Sequence, residues 1–215
     1  MQKSVLDKIE KVFHGYEEIG NRHHLNTASN FLNHFLTGDG SRKQMNRDEA
    51  RQFNFIKEAE SVNKKRFEAS LGKHHSGLGQ KLKKLKNGQS IDLEDYWDFS
   101  VRADSINPKK NILITDGADG FFSFGKTNVK STGRFKATRN GNKIDIKGDV
   151  DHDWSDIYDF DERNILGGAG GVALENADRA KSFPFGASWK QEVRGEIHIN
   201  NKGRLSRPSF EWKDE

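Results

Sequence analysis

The stretch RFKATRNGNKIDIKG, residues 134–148, decides the fold, because apolar and polar residues alternate on both sides of the dipeptide Asn140-Gly141. Asn-Gly is the preferred pair of the two-residue type I′ turn, in which both central residues need positive φ. A chain reversal at this dipeptide places the apolar side chains of both arms on one face. The predicted cross-strand pairs are Arg139 with Asn142, Ala137 with Ile144, and Phe135 with Ile146. The stretch therefore predicts an antiparallel β-hairpin that buries one face.

The second arm of this hairpin leads into an acidic stretch, DHDWSDIYDFDERN, at residues 151–164. If the strand continues without a bulge, successive side chains keep pointing to opposite faces. The face of Ile144 and Ile146 then also carries His152, Trp154, Asp156 and Tyr158. The opposite face carries Asp153, Ser155 and Asp159. The first half of the acidic stretch is therefore predicted to be the end of a β-strand.

The pattern of apolar and polar residues changes near residue 90. Upstream, apolar residues recur at helical spacing and predict three helices. The first contains Val5, Ile9, Val12 and Phe13; the second follows a cap at Asn26 or Thr27, contains Phe31, Leu32, Phe35 and Leu36, and ends at GDGS, residues 38–41; the third runs from Asn46 or Arg47 to about Gly72 and contains Phe53, Ile56, Ala59 and Phe67. Downstream, frequent glycines, turn dipeptides and alternating residues predict antiparallel sheet.

We therefore predict an α+β fold in which a helical region, residues 1–90, packs on an antiparallel, partly open, β-barrel-like sheet, residues 91–215. Hydrophobic residues make up 33% of the chain and charged residues 32%, with a mean hydropathy of -0.91, so much of the surface is polar. The 15 Phe and 4 Trp still argue against disorder. The absence of cysteine excludes disulfides, thiolate zinc sites and a cysteine nucleophile.

Charge and hydropathy limit where the protein can act and which partners it can bind. The opening residues alternate in charge where a signal peptide would need an apolar segment, and no apolar run is long enough to span a membrane. A net charge of +4 suits anionic partners such as nucleic acid, phosphorylated lipid or an acidic protein. In KLKKLK, residues 81–86, Leu82 and Leu85 are spaced to face inward on a helix while the lysines face water. Phosphate binding by these lysines is the alternative interpretation.

The middle of the acidic stretch has the residues of a metal site. Asp156 and Asp159 can supply hard oxygen ligands to Mg²⁺ or Ca²⁺, and such an ion polarises a phosphoryl oxygen or lowers the pKa of a bound water. Tyr158 lies between them and can orient a phosphate oxygen. The spacing is not that of an EF-hand. The alternative is a strand end in which aspartates cap backbone amides while the aromatic residues pack.

Other patterns are weaker indications of a site. The run GGAGG, residues 167–171, lacks the residues of a phosphate-binding loop, and we expect a flexible connection there. The histidine pairs in RHH, residues 22–24, and KHH, residues 73–75, are expected at exposed helix ends. His198 alternates with two isoleucines in GEIHIN, which predicts a strand whose polar face carries Glu196 and His198. That polar face is ordinary surface, or it completes a site if the strand lies beside Asp156 and Asp159.

Several separated stretches resemble the activity domain of the colicin M family, bacteriocins with a phosphodiesterase that cleaves the peptidoglycan precursor lipid II. The segments are NHFLTGDGSRKQMN at 33–46, STGRFKATRNGNKIDIKGDV at 131–150, SDIYDF at 155–160 and GEIHI at 195–199. SDIYDF is similar to the family's Asp-x-Tyr-Asp-Phe motif, and GEIHI is similar to its closing strand. The segments occur in the family's order over roughly residues 30–200.

The resemblance implies roles for individual residues. Asp156, Tyr158 and Asp159 match positions needed for activity in the family, which implies Mg²⁺ binding by the two aspartates and phosphate orientation by the tyrosine. His198 matches the histidine of the closing strand. The family motif continues to a His-Arg pair, but this chain reads DERN, and Ser155 replaces a second aspartate. His198 or His152 is then a candidate for the missing acid or base, and Arg163 for transition-state charge stabilisation.

The function implied by the resemblance is that of an antibacterial toxin which hydrolyses lipid II at its undecaprenyl-pyrophosphate linkage with the help of Mg²⁺. The expected partners are lipid II, a cognate immunity protein and the membrane surface, with no nucleic acid. We expect a delivered toxin, without a signal peptide of its own, that acts in the periplasm of a Gram-negative target cell. The alternatives are a degenerate domain that binds lipid II or an immunity protein without cleaving it, and a nuclease toxin.

Overall fold

The computed structural model describes residues 3–72, 77–102, 123–124, 126–161 and 167–215. The helices are α1 (Lys3–Arg22), α2 (Asn26–Thr37), α3 (Arg47–Ala50), α4 (Asn54–Gly72), α5 (Gly77–Lys83) and α6 (Gly168–Asn176). The strands are β1 (Lys43–Gln44), β2 (Ser90–Arg102), β3 (Lys126–Asn140), β4 (Lys143–Tyr158), β5 (Phe183–His198) and β6 (Ser209–Asp214). Within these ranges no helix has both the length and the apolar character needed to cross a lipid bilayer.

The described strands form a single sheet with the order β1-β5-β4-β3-β2, and β6 pairs with β5. The β3–β4 and β5–β6 pairs are antiparallel, whereas the two-residue strand β1 runs parallel to β5. The sheet is not closed on itself. The predicted α+β fold with a partly open sheet is therefore confirmed, and the parallel strand β1 makes the sheet mixed.

The predicted hairpin forms, but its register differs by two residues. Ala137 pairs with Ile146, and Asn140 pairs with Lys143, so the turn residues are Gly141 and Asn142. Gly141 has a φ of 61°, which fits a type II′ turn with glycine at the first central position. Its N–H also donates a hydrogen bond to Asn87. Because side chains alternate with a period of two, the slip leaves the predicted faces unchanged.

Strand β4 continues through the acidic stretch as predicted and ends at Tyr158. On the hairpin's apolar face, His152, Trp154 and Tyr158 are buried and Asp156 is half-buried. On the other face, Asp153 and Ser155 are half-buried, and Asp159, just past the strand, is exposed. The face assignment made from the alternating pattern is therefore confirmed.

Most of the helical predictions hold, with three differences. The N-cap of α2 is Leu25, which makes no side-chain capping hydrogen bond, and not Asn26 or Thr27. The region predicted as a third helix is interrupted at residues 51–53, so α3 ends in a turn before α4 begins. Asn46 caps α3 through a reciprocal pair of hydrogen bonds with Glu49, the arrangement called a capping box. In α1 the buried residues include Phe13, whereas Val5 and Val12, which were predicted on the same face, are exposed.

The structure confirms one prediction about a surface segment and corrects another. Leu82 and Leu85 of KLKKLK are buried and Lys81 is exposed, as expected for a solvated basic face. The glycine run at 167–171 is not a flexible connection, because it begins α6. A side chain at Gly171 would come within 2.3 Å of the Phe160 ring, so the glycine allows the helix to approach that ring closely.

The described chain divides into two compact units that do not follow the change from helix to strand at residue 90. Unit one contains Met1–Phe55, Val101–Thr127 and Ser155–Ala187. Unit two contains Ile56–Ser100, Asn128–Trp154 and Ser188–Glu215. Each unit therefore takes both helices and strands, and β3, β4 and β5 contribute residues to both. The predicted division into residues 1–90 and 91–215 stays a prediction.

Unit one is held together by aromatic rings. Phe31 is the centre of the cluster and has its ring centroid 4.8 Å from that of Phe185 and 5.5 Å from that of Tyr158. Further rings in contact within this cluster include those of Phe13, Phe35, Phe53, Phe55, Phe124, Phe160 and Phe183. Edge-to-face contacts of this kind add to the hydrophobic effect of burying the rings. The cluster therefore fixes the end of β4 through Tyr158.

Unit two contains a chain of hydrogen bonds that is centred on the buried His152 and ends at the exposed Asp214. Asn63 Nδ2 donates to Ser131 Oγ at 2.8 Å, and Ser131 Oγ lies 2.8 Å from His152 Nδ1. His152 Nε2 lies 3.1 Å from Gln191 Oε1, and Gln191 Nε2 donates to the Asp214 carboxylate at 2.6 Å. A carboxylate only accepts, so the Gln191 oxygen faces His152 and the proton is on Nε2.

Both ring nitrogens of His152 are thus bonded to protein groups, and the side chain is buried. The Ser131 hydroxyl accepts from Asn63 and donates to Nδ1, which describes a neutral imidazole. His152 is therefore a structural residue of unit two, and neither nitrogen is left for proton transfer to a substrate.

Replacing His152 with alanine is expected to lower the free energy of unfolding by about 2–4 kcal/mol. The change leaves the Gln191 oxygen and the Ser131 hydroxyl without their buried partner and opens a cavity beside the stacked ring of Trp189. Urea unfolding followed by tryptophan fluorescence measures the loss. His23→Ala, at an exposed turn position, is the control and should change stability little. Equal effects of the two substitutions would show that the hydrogen-bond chain does not stabilise the fold.

Candidate functional site

Asp156, Tyr158 and Asp159 lie together in unit one, at the end of β4 and directly after it. The Asp156 carboxylate accepts hydrogen bonds from the Ile157 N–H, at 2.9 Å, and from the Thr127 side chain. Burial raises the pKa of Asp156 above its ordinary value, although these two hydrogen bonds oppose the increase. The carboxylate is therefore held in one orientation while its charge is poorly solvated.

Tyr158 is buried in the aromatic cluster of unit one. Its ring stacks on that of Phe183 at 5.2 Å and contacts the edge of Phe31. Burial raises the pKa of its hydroxyl well above the ordinary range for tyrosine, so the hydroxyl stays protonated at neutral pH. Within the described part of the chain, no group is hydrogen-bonded to this hydroxyl. Tyr158 therefore has a free donor next to the two carboxylates in the sequence.

The pKa of Asp159 is affected by burial and by several negative charges. Burial raises its pKa, and the charges of Asp156, Glu175 and Asp161 raise it further. Glu175 belongs to α6 and accepts a hydrogen bond from the Ser182 N–H at 2.8 Å. Neither Asp156 nor Asp159 forms an ion pair with a basic side chain of the described residues. The arrangement concentrates negative charge that a bound cation would neutralise.

These residues fit a hydrated Mg²⁺ better than a metal enclosed by protein. Mg²⁺ is usually held by one or two carboxylates and keeps several water or phosphate ligands. Asp156 and Asp159 are the two carboxylates that could hold such an ion; burial raises the pKa of both, and neighbouring negative charges raise the pKa of Asp159 further. In the described ranges no group of three or more His, Cys, Asp or Glu side chains has the geometry to hold an ion. Additional ligands would have to come from water or from a phosphorylated substrate.

A cavity of about 250 Å³ adjoins Tyr158 in unit one. Helices α1 and α2 form most of its wall, and Tyr158 and Phe160 complete it. The lining residues are Phe13, Tyr16, Ile19, Gly20, Leu25, Ala28, Ser29, Leu32, Tyr158 and Phe160. Tyr16 and Ile19 are about half exposed, at 50% and 52%, so the cavity opens to solvent beside α1. The wall is almost entirely apolar.

Sequence reasoning missed this cavity. The exposed apolar residues Val12, Tyr16 and Ile19 recur at spacings of four and three in α1, which is the spacing of residues on one helical face. That pattern was present in the sequence, but Val12 had been assigned to the predicted buried face of α1. Two apolar faces on one helix would have indicated that one of them lines an open site.

The remaining predicted site residues are His198 and Arg163. His198 is a residue of unit two, where its Nε2 lies 2.9 Å from Glu196 Oε1 and its N–H donates to Ser206. Glu196 also pairs with Lys143 at 2.7 Å, which lowers the pKa of the Glu196 carboxyl. Arg163 and the histidines of residues 73–75 lie outside the described residues. The proposed roles of His198 and Arg163 stay predictions.

No protein-family model matches this chain, and neither a curated protein nor a solved structure matches it. The geometry of the site and the sequence motif are therefore the basis for a functional proposal.

The raised pKa values of Asp156 and Asp159 lead to a prediction about stability. Both carboxyls have an ordinary pKa of 3.8 and a higher pKa in the folded protein. Their ionisation therefore lowers the free energy of unfolding at neutral pH. The effect is absent below pH 3.8, where both carboxyls are protonated in the folded and the unfolded state. At neutral pH in EDTA, Asp159→Asn is expected to raise the free energy of unfolding. Because Asp159 is exposed and screened, we expect a gain on the order of 0.5 kcal/mol. The gain should disappear as the pH falls below 3.8.

Urea unfolding at several pH values measures this effect, with and without Mg²⁺. Asp39→Asn is the matched control, because hydrogen bonds from Ser41 lower the pKa of Asp39, and its replacement should lower stability at neutral pH. Added Mg²⁺ should stabilise the unsubstituted protein and have less effect on Asp159→Asn. A stability difference that is the same at every pH would contradict the electrostatic origin of the effect.

Proposed function

We propose that this chain is a metal-assisted phosphodiesterase that hydrolyses lipid II at the undecaprenyl-pyrophosphate linkage and acts as an antibacterial toxin. The observation that carries the proposal is the position of Asp156, Tyr158 and Asp159 at the end of β4, where burial raises the pKa of both carboxyls and neighbouring negative charges raise that of Asp159 further. Clustered carboxylates with perturbed pKa values are typical of catalytic sites. The resemblance of SDIYDF to the colicin M family motif supports the choice of substrate.

In the proposed reaction, each residue has a defined task. Asp156 and Asp159 would hold Mg²⁺, which when bound neutralises the diphosphate and lowers the pKa of a bound water. Tyr158 stays protonated and would donate a hydrogen bond to a phosphate oxygen of the substrate. A carboxylate oxygen would accept the proton of the attacking water. The new bond joins the water oxygen to phosphorus, the bond from phosphorus to the prenyl oxygen breaks, and a proton goes to undecaprenol.

The cellular role follows from this chemistry. Cleavage would release undecaprenol and the pyrophosphorylated disaccharide-peptide, so the lipid carrier would not be recycled. We propose that the toxin acts at the periplasmic face of the membrane, where Lys81, Lys84 and Lys86 can approach anionic lipid. A cognate immunity protein is the expected partner in the producing cell.

A second candidate function is binding to lipid II or to an immunity protein without cleavage. It is favoured by the sequence after Asp159, which lacks the family's motif histidine. In this case the chain would keep the site but lack a group for proton transfer.

Incubation of the purified protein with labelled lipid II and Mg²⁺ tests the proposal, and parallel reactions contain RNA and DNA. The expected result is release of undecaprenol that stops when EDTA is added, with both nucleic acids intact. Binding of lipid II without product would favour the second candidate, and degradation of nucleic acid would support a nuclease instead. Directing the protein to the periplasm should kill a sensitive cell, whereas cytoplasmic expression should not.

A further inference from the structure

The cavity between α1, α2 and Tyr158 has the character of a binding site for a hydrocarbon chain. Ligand sites in proteins are concave and mostly apolar, with a few polar groups that fix the ligand's orientation. Here the Ser29 hydroxyl is already engaged, because it donates to the Glu17 carbonyl oxygen. The other lining residues whose side chains carry a polar group are Tyr16 and Tyr158.

The size of the cavity limits its occupant. An apolar cavity of about 150 Å³ can hold benzene, and a group as large as water takes about 30 Å³ in a liquid. A volume of about 250 Å³ therefore holds about eight such groups. That is enough for the first part of a prenyl chain and too little for a sugar or peptide portion of a large substrate.

Tyr158 links the cavity to the two carboxylates along the chain. Tyr158 lines the cavity and lies between Asp156 and Asp159 in the sequence. The Tyr158 side chain is only 9% exposed, and none of the described residues is hydrogen-bonded to its hydroxyl. A ligand whose apolar chain fills the cavity would place the polar atom at the end of that chain near this donor. Such a ligand is an amphiphile with a polar head group.

We infer that this cavity binds the head-group end of the prenyl chain of a polyprenyl phosphate or diphosphate. The chain enters between Tyr16 and Ile19, its first carbons lie against Leu32 and Phe160, and the phosphate end is close to Tyr158. This inference rests on the proposed function for the identity of the chain. It adds that the substrate is selected by its lipid portion, through a site distinct from the metal ligands.

Calorimetric titration with geranyl phosphate in the presence of Mg²⁺ tests the inference, and inorganic phosphate is the comparison ligand. Geranyl phosphate should bind at least about tenfold more tightly than inorganic phosphate, with a negative heat-capacity change from apolar burial. Ala28→Trp, which fills the cavity from α2, should remove this advantage. Asn30→Trp is the matched control, because Asn30 is exposed on the same helix, and it should bind like the unsubstituted protein.

Tyr16→Ser is a second variant that tests the inference even if Ala28→Trp does not fold. Tyr16 is half exposed, so the fold should tolerate its loss, and geranyl phosphate binding should weaken several-fold. Equal affinities for geranyl phosphate and inorganic phosphate would overturn the inference, as would unchanged affinities in both Ala28→Trp and Tyr16→Ser. Geranyl phosphate has no diester bond, so binding is measured independently of hydrolysis. Tight chain binding without lipid II cleavage would refute the proposed function alone; cleavage without chain binding would refute this inference alone.

Discussion

Asp156→Asn and Asp159→Asn are each expected to lower the rate of lipid II hydrolysis by about 10²–10³-fold. Each substitution removes one carboxylate charge from the group that would hold Mg²⁺ and stabilise the charge of the transition state. The fold should be retained, because the amide oxygen that replaces the Asp156 carboxylate can still accept from Ile157 and Thr127. Initial rates of undecaprenol release from labelled lipid II measure the loss.

The control for these substitutions is Asp151→Asn. Asp151 is on the same strand and belongs to unit two, where it forms an exposed ion pair with Arg134 at 2.7 Å. Exposed pairs of this kind contribute little to stability, and the rate should stay within about twofold of the original. Full activity in both site variants would remove the two aspartates from the mechanism. Equal losses in all three variants would indicate a general effect of charge on substrate binding.

The apolar pattern of the hairpin predicted its faces and could not predict its register. A slip of two residues keeps every side chain on the same face, so the alternating residues are compatible with either pairing. The observed register is accompanied by contacts from residues far away in the sequence. Asn87 accepts from the Gly141 N–H, and the Leu85 carbonyl oxygen accepts from Arg139. No local pattern contains those contacts.

The candidate site was also predictable only in part, because one of its charges comes from an element far away in the sequence. Alternation along β4 placed Asp156 and Tyr158 on one face, and burial confirms that assignment. The charge of Glu175 was not predictable, because it comes from α6, whose first residues are the glycines taken for a connection. Glycine is an indicator of loops in a single sequence. At Gly171 its lack of a side chain serves helix packing against Phe160 instead.

Phe31→Ala is expected to lower the free energy of unfolding by about 3–5 kcal/mol, the usual cost of removing a buried phenylalanine ring. Phe31 is 1% exposed, and its ring contacts the rings of Tyr158, Phe183 and Phe185, among others. Denaturant unfolding followed by circular dichroism measures the change. Tyr16→Ala removes an aromatic ring that is half exposed in the same unit and should cost much less.

The same substitution tests whether the aromatic cluster positions the site. Phe31 meets Tyr158 edge-on at 5.5 Å, so its loss gives the tyrosine ring space to move. We expect hydrolysis by Phe31→Ala to fall further than the folded fraction of the protein does, because the Tyr158 donor is no longer held in place. Phe31→Leu keeps most of the volume and should recover both stability and rate in part. A rate that follows the folded fraction in both variants would mean that the cluster stabilises unit one without positioning Tyr158.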